Sequence, residues 1–139
     1  MTRLSHIEMD ASGDDCRAAM DDLRHDNAFN VPGIDGPYQL RLGMVDGRIA
    51  FSISAARQVD FHLSMGPFRQ VLKDYTQICN ALAEAQNVMP PHRIEAIDMA
   101  RRGIHNEGAR LLQERLGDKA QVDLDTARRL FTLICAMQK

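Results

Sequence analysis

The most regular pattern in this sequence is an alternation of apolar and polar residues in the middle third of the chain. Apolar side chains occupy every second position over residues 40–44 and 49–53, and Asp46-Gly47 lies between the two runs. This dipeptide readily adopts the positive φ angles of a tight turn, so the runs predict an antiparallel hairpin with one buried face. A third alternating run, over 59–63, extends the hairpin into a meander.

Elsewhere the apolar residues recur three or four positions apart, as on the buried face of an α-helix. They predict helices over about 14–25, 67–86 and 91–116, and a fourth helix that is capped by Asp123 or Asp125 and has apolar residues from Leu124 to Met137. The prolines and glycines of 27–37 predict a loop, and a short apolar run at 3–9 predicts a further strand. The expected fold class is therefore α+β: an antiparallel β-meander of three to four strands packed against about four helices, with an all-helical C-terminal half.

Length and composition are those of a soluble globular protein. The chain has 139 residues, 45% hydrophobic and 26% charged, and contains no repeat, so we expect residues 1–139 to form a single domain. The net charge of −2 creates no attraction for nucleic acid, and no apolar run is long enough for a membrane span. We expect neither nucleic acid nor a membrane as a partner.

The cysteines indicate a reducing compartment. Cys16, Cys79 and Cys135 are odd in number and far apart, which argues against a disulfide framework or a zinc site. The five histidines are scattered and show no metal-ligand spacing, and the N-terminus has no signal-peptide pattern. We expect a cytoplasmic protein with no metal and no cofactor.

The predicted helix over 91–116 is unusual because ionisable residues interrupt its apolar face. On a helical wheel Arg101 lies near the centre of that face, which predicts that it is buried, and Asp98 and His105 lie on one flank within reach of it. Gly108 leaves room there for a second helix or a ligand. Asn106 and Glu107 point away from the apolar face. The candidate cluster, either a ligand-binding site or a structural one, comprises Asp98, Arg101, Arg102, His105, Asn106 and Glu107.

Two interpretations of this cluster stay open. Arg101 either forms an internal structural ion pair with Asp98, or it binds a phosphate or carboxylate together with Arg102 or Lys73. In the second case His105 or Glu107 could transfer protons. Structural ion pairs are commoner than functional sites, and no motif supplies a nucleophile or a phosphate-binding glycine loop. Catalytic residues are therefore unknown, and whether the protein is an enzyme is undecided.

Adjacent arginines, Arg128 and Arg129, lie early in the last predicted helix, where their charge opposes the helix dipole. This placement suggests a partner for the charge, although a solvated helix face is the commoner explanation.

Three stretches of the sequence are long enough to be characteristic of a family. They read Gly-Pro-Phe-Arg at 66–69, Ile-Glu-Ala-Ile-Asp-Met at 94–99 and Val-Asp-Leu-Asp-Thr-Ala-Arg-Arg-Leu-Phe at 122–131. With them the chain resembles the bacterial group catalogued as uncharacterised protein family 0262 over about 37–136. The resemblance implies a small soluble bacterial protein and no particular activity, since the family is named for its lack of an assigned function.

Two functions from different classes fit these observations. The first is a non-catalytic interaction or accessory module that binds an unknown protein partner and forms a homodimer through the helical layer of residues 67–138. The alternative is a small enzyme or sensor that binds an anionic phosphate or carboxylate metabolite through the flank formed by Asp98, Arg101 and His105.

Overall fold

A computed structural model describes residues 3–9 and 14–138 of the chain. The expected α+β class is confirmed. The strands are β1 (Leu4–Met9), β2 (Phe29–Asn30), β3 (Tyr38–Val45), β4 (Arg48–Ser54), β5 (Gln58–Ser64) and β6 (Gln121–Val122). The helices are α1 (Asp14–His25), α2 (Arg69–Ala85), α3 (Pro91–Leu116) and α4 (Leu124–Met137), and a 3-10 turn (Gly66–Phe68) precedes α2.

The main sheet contains the predicted meander. Strands β3, β4 and β5 pair antiparallel in sequence order, and Asp46 and Gly47 turn the first hairpin with φ angles of 52° and 73°. Strand β1 joins the sheet beside β3 and runs parallel to it, because α1 carries the chain back across the sheet between them. The sheet is thus mixed, with the order β1-β3-β4-β5.

Segment 27–37 is more structured than the predicted loop. Its strand β2 pairs with β6, so the helical C-terminal half also contains one two-residue strand between α3 and α4. Phe29, Val31 and Ile34 are buried, and the Tyr38 hydroxyl donates a hydrogen bond to the carbonyl of Ile34. Isolated apolar residues among prolines and glycines show no periodicity, so the pattern did not reveal these contacts.

The helices make successive pairwise contacts that end at the sheet. Helix α2 lies against α3, α3 against α4, α4 against α1, and α1 against β1. Buried residues of the sheet, α1, α3 and α4 belong to one hydrophobic cluster. In residues 3–9 and 14–138 no helix has the length and hydrophobicity to cross a lipid bilayer.

Helices α3 and α4 approach each other closely at Gly108. A Cβ atom at this position would lie within 2.6 Å of the Phe131 ring, so the ring occupies the volume that any larger residue would need. The space left by Gly108 is therefore filled by a second helix, and this contact positions the polar residues of the two helices beside each other.

Candidate functional site

Asp98 joins two arginines of α3. Its Oδ1 accepts a hydrogen bond of 2.9 Å from Nε of Arg101, and its Oδ2 accepts bonds of 3.0 and 2.6 Å from Nε and Nη2 of Arg102. These hydrogen bonds, from Arg102 first and Arg101 second, hold the pKa of Asp98 below its usual 3.8. The Arg101 side chain is half-buried, 29% exposed, and is less enclosed than the wheel indicates.

Tyr75 of α2 contacts the same arginine. Nη1 of Arg101 lies 3.5 Å from the Tyr75 hydroxyl oxygen, at the limit of a hydrogen bond. The Tyr75 ring packs against His105 with a centroid separation of 5.2 Å, and both rings pack against Phe131. Burial is the main cause that raises the pKa of Tyr75 to about 12, so the hydroxyl keeps its proton at neutral pH.

His105 is the most buried ionisable residue of the predicted cluster, at 9% exposure. Its Nε2 lies 2.9 Å from Oγ1 of Thr132, and the Thr132 hydroxyl donates to the carbonyl of Arg128 at 3.1 Å. Because that hydroxyl has a single proton, Nε2 of His105 must be the donor in this pair. The imidazole is therefore protonated on Nε2, and Nδ1 carries a lone pair.

Burial, which is the largest cause, and the positive charges of Arg128 and Arg101 together lower the pKa of His105 to about 4. The imidazole is neutral at pH 7. A general acid or base works best with a pKa near the operating pH, so this environment does not favour proton transfer by His105.

A cavity of about 630 Å³ opens to solvent between the four helices, and Tyr75, His105 and Thr132 are part of its lining. We call it the arginine pocket because Arg101 and Arg102 of α3 face it together with Arg128 and Arg129 of α4. The remaining lining residues are Ala18, Ala19, Asp22, Tyr75, Cys79, His105, Asp125 and Thr132. Four positive and two negative side chains therefore line the cavity.

The two arginines of α4 have loose ion pairs. Nη1 of Arg128 lies 3.6 Å from Oδ1 of Asp125, and Nη1 of Arg129 lies 3.9 Å from Oδ2 of Asp26. Both distances exceed those of good hydrogen bonds, although Nη1 of Arg129 also donates to the Asp26 carbonyl at 2.7 Å. Among the described residues, no carboxylate therefore holds either guanidinium group within 3.5 Å.

The predicted candidate residues fall into two groups. Arg101, Arg102 and His105 line the pocket, and Asp98 holds the two arginines. Asn106 and Glu107 are not among the lining residues. Glu107 is exposed, and Oδ1 of Asn106 is buried without a hydrogen-bond partner among the described residues.

Sequence reasoning set Arg128 and Arg129 apart from the cluster and missed the role of Thr132. The one available signal was the pair of like charges early in α4, which is unfavourable without a partner. Across residues 3–9 and 14–138, no three His, Cys, Asp or Glu side chains are grouped as a metal site requires.

A family model matches residues 2–139 of the chain over nearly its whole length. The chain belongs to the uncharacterised protein family UPF0262. A family member from Paracoccus denitrificans is 52% identical over 153 residues, covering 97% of this chain and 94% of the relative. One from Roseobacter denitrificans is 50% identical over 155 residues, covering 99% and 98%. No solved structure matches the chain. Membership of the family supplies no activity, so function must be argued from the site.

Proposed function

We propose that this protein binds a small anionic metabolite, one that carries phosphate or carboxylate groups, in the arginine pocket. The observation that carries the proposal is the convergence of four arginines from α3 and α4 on one cavity that opens to solvent. Its volume of about 630 Å³ lies within the range of small-molecule sites. The alternative function of the sequence analysis thus has better support than the non-catalytic interaction module.

The chemistry of the lining favours an anion. Guanidinium groups present planar arrays of donors that match phosphate and carboxylate oxygens in bidentate fashion. The Tyr75 hydroxyl, which keeps its proton at neutral pH, adds a hydrogen-bond donor to the lining, while neutral His105 adds no charge. The four arginines outnumber the lining acids Asp22 and Asp125, while Asp98 and Asp26, which lie outside the lining, pair with Arg101, Arg102 and Arg129.

A purely structural ion pair explains only part of this arrangement. It accounts for Arg101, whose Nε is bonded to Asp98 at 2.9 Å. It does not account for Arg128 of α4, whose Nη1 lies 3.6 Å from Asp125, and it accounts for Arg129 only through the Nη1 bond of 2.7 Å to the Asp26 carbonyl. The second interpretation, anion binding, covers all of these residues.

Binding is proposed rather than catalysis. The pKa of His105, near 4, is far from neutral pH, and Glu107 does not line the pocket. A sensor or carrier of an anionic metabolite needs neither a nucleophile nor a proton carrier. In this role Arg101, Arg102, Arg128 and Arg129 hold the ligand, and Asp98 positions the first two.

The proposal can be tested by thermal shift with inorganic phosphate and a panel of phosphorylated and carboxylated metabolites. We expect at least one to raise the Tm of the wild-type protein, since ligand at 100 times its Kd stabilises by about 2.7 kcal/mol. The shift should be lost in Arg128→Met, which removes a pocket charge without breaking the Asp98 hydrogen bonds.

Arg57→Met is the matched control, because Arg57 is an exposed arginine in the turn between β4 and β5. It should keep the wild-type shift. Absence of stabilisation by every compound, or an equal loss of the shift in both variants, would contradict anion binding in the arginine pocket.

A second candidate, interaction with another protein through the helical layer of residues 67–138, has a separate observation in its favour. Of the four large hydrophobic side chains exposed among the described residues, three belong to this layer: Val88, Met89 and Met99. Homodimerisation is part of this second proposal.

We also propose that residues 1–139 act as a single domain in the cytoplasm. The hydrophobic cluster shared by sheet and helices supports the first part. The free thiols of Cys16 and Cys79 support the second, because oxidising compartments favour disulfides.

A further inference from the structure

The main sheet ends in a strand with an open edge. Strand β5 (Gln58–Ser64) pairs with β4 on one side and has no partner strand on the other among residues 3–9 and 14–138. Proteins commonly protect such an edge with a bulge, a proline or a lysine, and β5 has none of the three. Its register with β4 is regular over all seven residues, whereas β1, at the other edge, has an irregular register between Leu4 and His6. The backbone groups of β5 can therefore pair with a further strand.

The sequence of β5 is self-complementary when the strand runs antiparallel to a second copy. With Phe61 on a two-fold axis, every apolar residue of the strand faces an apolar one and every polar residue faces a polar one. The facing residues are Phe61 and Phe61, Asp60 and His62, Val59 and Leu63, and Gln58 and Ser64. Asp60 and His62 are exposed, so the carboxylate of one copy can accept a hydrogen bond from the imidazole of the other. This match of charge and polarity indicates a second copy as the partner.

Neighbouring registers lack this complementarity. A shift of the axis to Asp60 would place two carboxylates opposite each other, and a shift to His62 would oppose two imidazoles. Both shifts also leave residues at one end of β5 without a strand residue opposite them. The register centred on Phe61 is the one that pairs all seven residues, so the sequence of β5 specifies a single geometry.

Phe61 has apolar surface that this pairing would cover. Its ring stacks on Phe51 of β4 with centroids 4.9 Å apart, and Nζ of Lys119 lies 5.3 Å from its centroid, yet Phe61 remains partly exposed. Directly opposed residues of antiparallel strands have Cβ atoms about 4.5–5.5 Å apart, so the two Phe61 side chains would meet at the axis. Val59 is also partly exposed and would face Leu63 on the same side of the sheet. Pairing would thus remove apolar surface from water.

We propose that β5 pairs with β5 of a second copy, antiparallel and centred on Phe61, and joins the two main sheets into one continuous sheet. Addition of a strand to an open edge is a common mode of recognition, and two-fold dimers are the commonest assemblies of soluble proteins. Strand β5 lies outside the helical layer of residues 67–138 and lines no part of the arginine pocket. The proposal is therefore independent of anion binding and of contacts through the helical layer.

The test is the mass in solution, measured by sedimentation and light scattering over a range of protein concentrations. We expect the wild-type protein to reach twice the chain mass of 15.6 kDa. His62→Asp would oppose two carboxylates at each of the two symmetric contacts with Asp60, and should raise the Kd of the dimer about three- to thirtyfold. Addition of Asp60→Lys to this variant restores opposite charges at both contacts and should lower the Kd again.

His6→Asp is the matched control. His6 is exposed on β1 at the other edge of the same sheet, two residues from Glu8, just as His62 is two residues from Asp60. This variant should keep the wild-type Kd. The far-UV circular dichroism of all three variants should equal that of the wild type, because the substituted side chains are exposed in the single chain.

Cysteine substitutions measure the register directly. In the proposed dimer Gln58 of one copy faces Ser64 of the other with Cα atoms about 4.5–5.5 Å apart, within the range of a disulfide. A mixture of Gln58→Cys and Ser64→Cys proteins should therefore form a disulfide-linked dimer on mild oxidation. Either variant alone should give no more crosslinking than the wild type, because like positions are about six residues apart along the paired strands.

A wild-type protein that keeps the mass of one chain at every concentration would overturn the proposal. A dimer with an unchanged Kd in His62→Asp, or one that forms no crosslink in the cysteine mixture, would also overturn it, since its interface would lie elsewhere. A monomer that binds an extended segment of a different protein along β5 would exclude the second copy as the partner.

Discussion

At the scale of single residues, His105 has the environment that most constrains the chemistry of the pocket. Its ring is enclosed by Tyr75 and Phe131, and its Nε2 donates to Thr132. Burial and two neighbouring arginines lower its pKa to about 4. The folded protein therefore resists protonation of a histidine that is protonated readily once the chain unfolds.

This difference predicts a loss of stability in acid. Above pH 6.5 His105 is neutral in both states and contributes no pH dependence; between pH 6.5 and about 4 only the unfolded state binds the proton. The contribution of His105 to the free energy of unfolding should fall across that window by up to about 3 kcal/mol and level off below it. Urea unfolding at a series of pH values measures the slope.

The control for this prediction separates His105 from the other histidines. His105→Gln should flatten the slope between pH 6.5 and 4. His62→Gln, on the exposed face of β5, should retain the wild-type slope. Equal slopes in both variants would mean that burial of His105 does not govern the acid sensitivity of the fold.

At the scale of elements, the contact between α3 and α4 determines the shape of the pocket. The Phe131 ring of α4 lies against the backbone of Gly108 in α3. Gly108 follows His105 by three residues, and Phe131 follows Arg128 by three residues. The close approach brings His105 of one helix to Thr132 of the other. A change in the separation of the two helices would therefore displace the arginines as well.

Gly108→Ala should destabilise the protein. The new Cβ would lie within 2.6 Å of the Phe131 ring, so either the ring or one of the helices must shift. Overpacking of this kind costs about 1–3 kcal/mol, measurable as a lower urea midpoint.

The same helix provides the matched control. Gly103 has nothing within 4 Å of an added Cβ, so Gly103→Ala should stabilise by about 0.5–1 kcal/mol through helix propensity alone. If both substitutions had the same effect, the close packing on Phe131 would be unimportant for stability.

At the scale of the whole molecule, sheet and helices share one hydrophobic cluster. Hydrogen bonds also connect β6 and the first turn of α4 to the N-terminal half of the chain. The amide of Ala28 donates to Oγ1 of Thr126 at 2.9 Å, and β2 pairs with β6. We therefore expect the sheet and the helical layer to unfold together as a single domain.

The two tyrosines make this expectation measurable, because the chain has no tryptophan. Tyr38 is buried in β3 and Tyr75 lies on α2. In Tyr75→Phe the remaining tyrosine fluorescence reports on the sheet, and far-UV circular dichroism reports mainly on the helices. Coincident urea transitions are expected. In Tyr38→Phe, where fluorescence reports on α2, the transitions should coincide as well; separated transitions would indicate two folding units.

Much of the fold was predictable from local pattern. The β3–β4–β5 meander and all four helices follow from periods of two and about 3.6 residues, which depend on neighbours along the chain. The parallel pairing of β1 and the ribbon of β2 with β6 were not predicted. Their partners are distant in sequence, and strands of two residues are too short to show a period.

In the candidate site, too, contacts within one helix were predictable from the sequence and contacts between helices were not. The sequence by itself determined that Asp98, Arg101 and His105 can meet, because positions three and four apart share one face of a helix. Tertiary structure alone decided that Arg128 and Arg129 complete a pocket with Arg101. Sequence spacing determines which residues share one face of a helix. The contact between two helices depends instead on the packing of side chains that are distant in sequence, here Phe131 on Gly108.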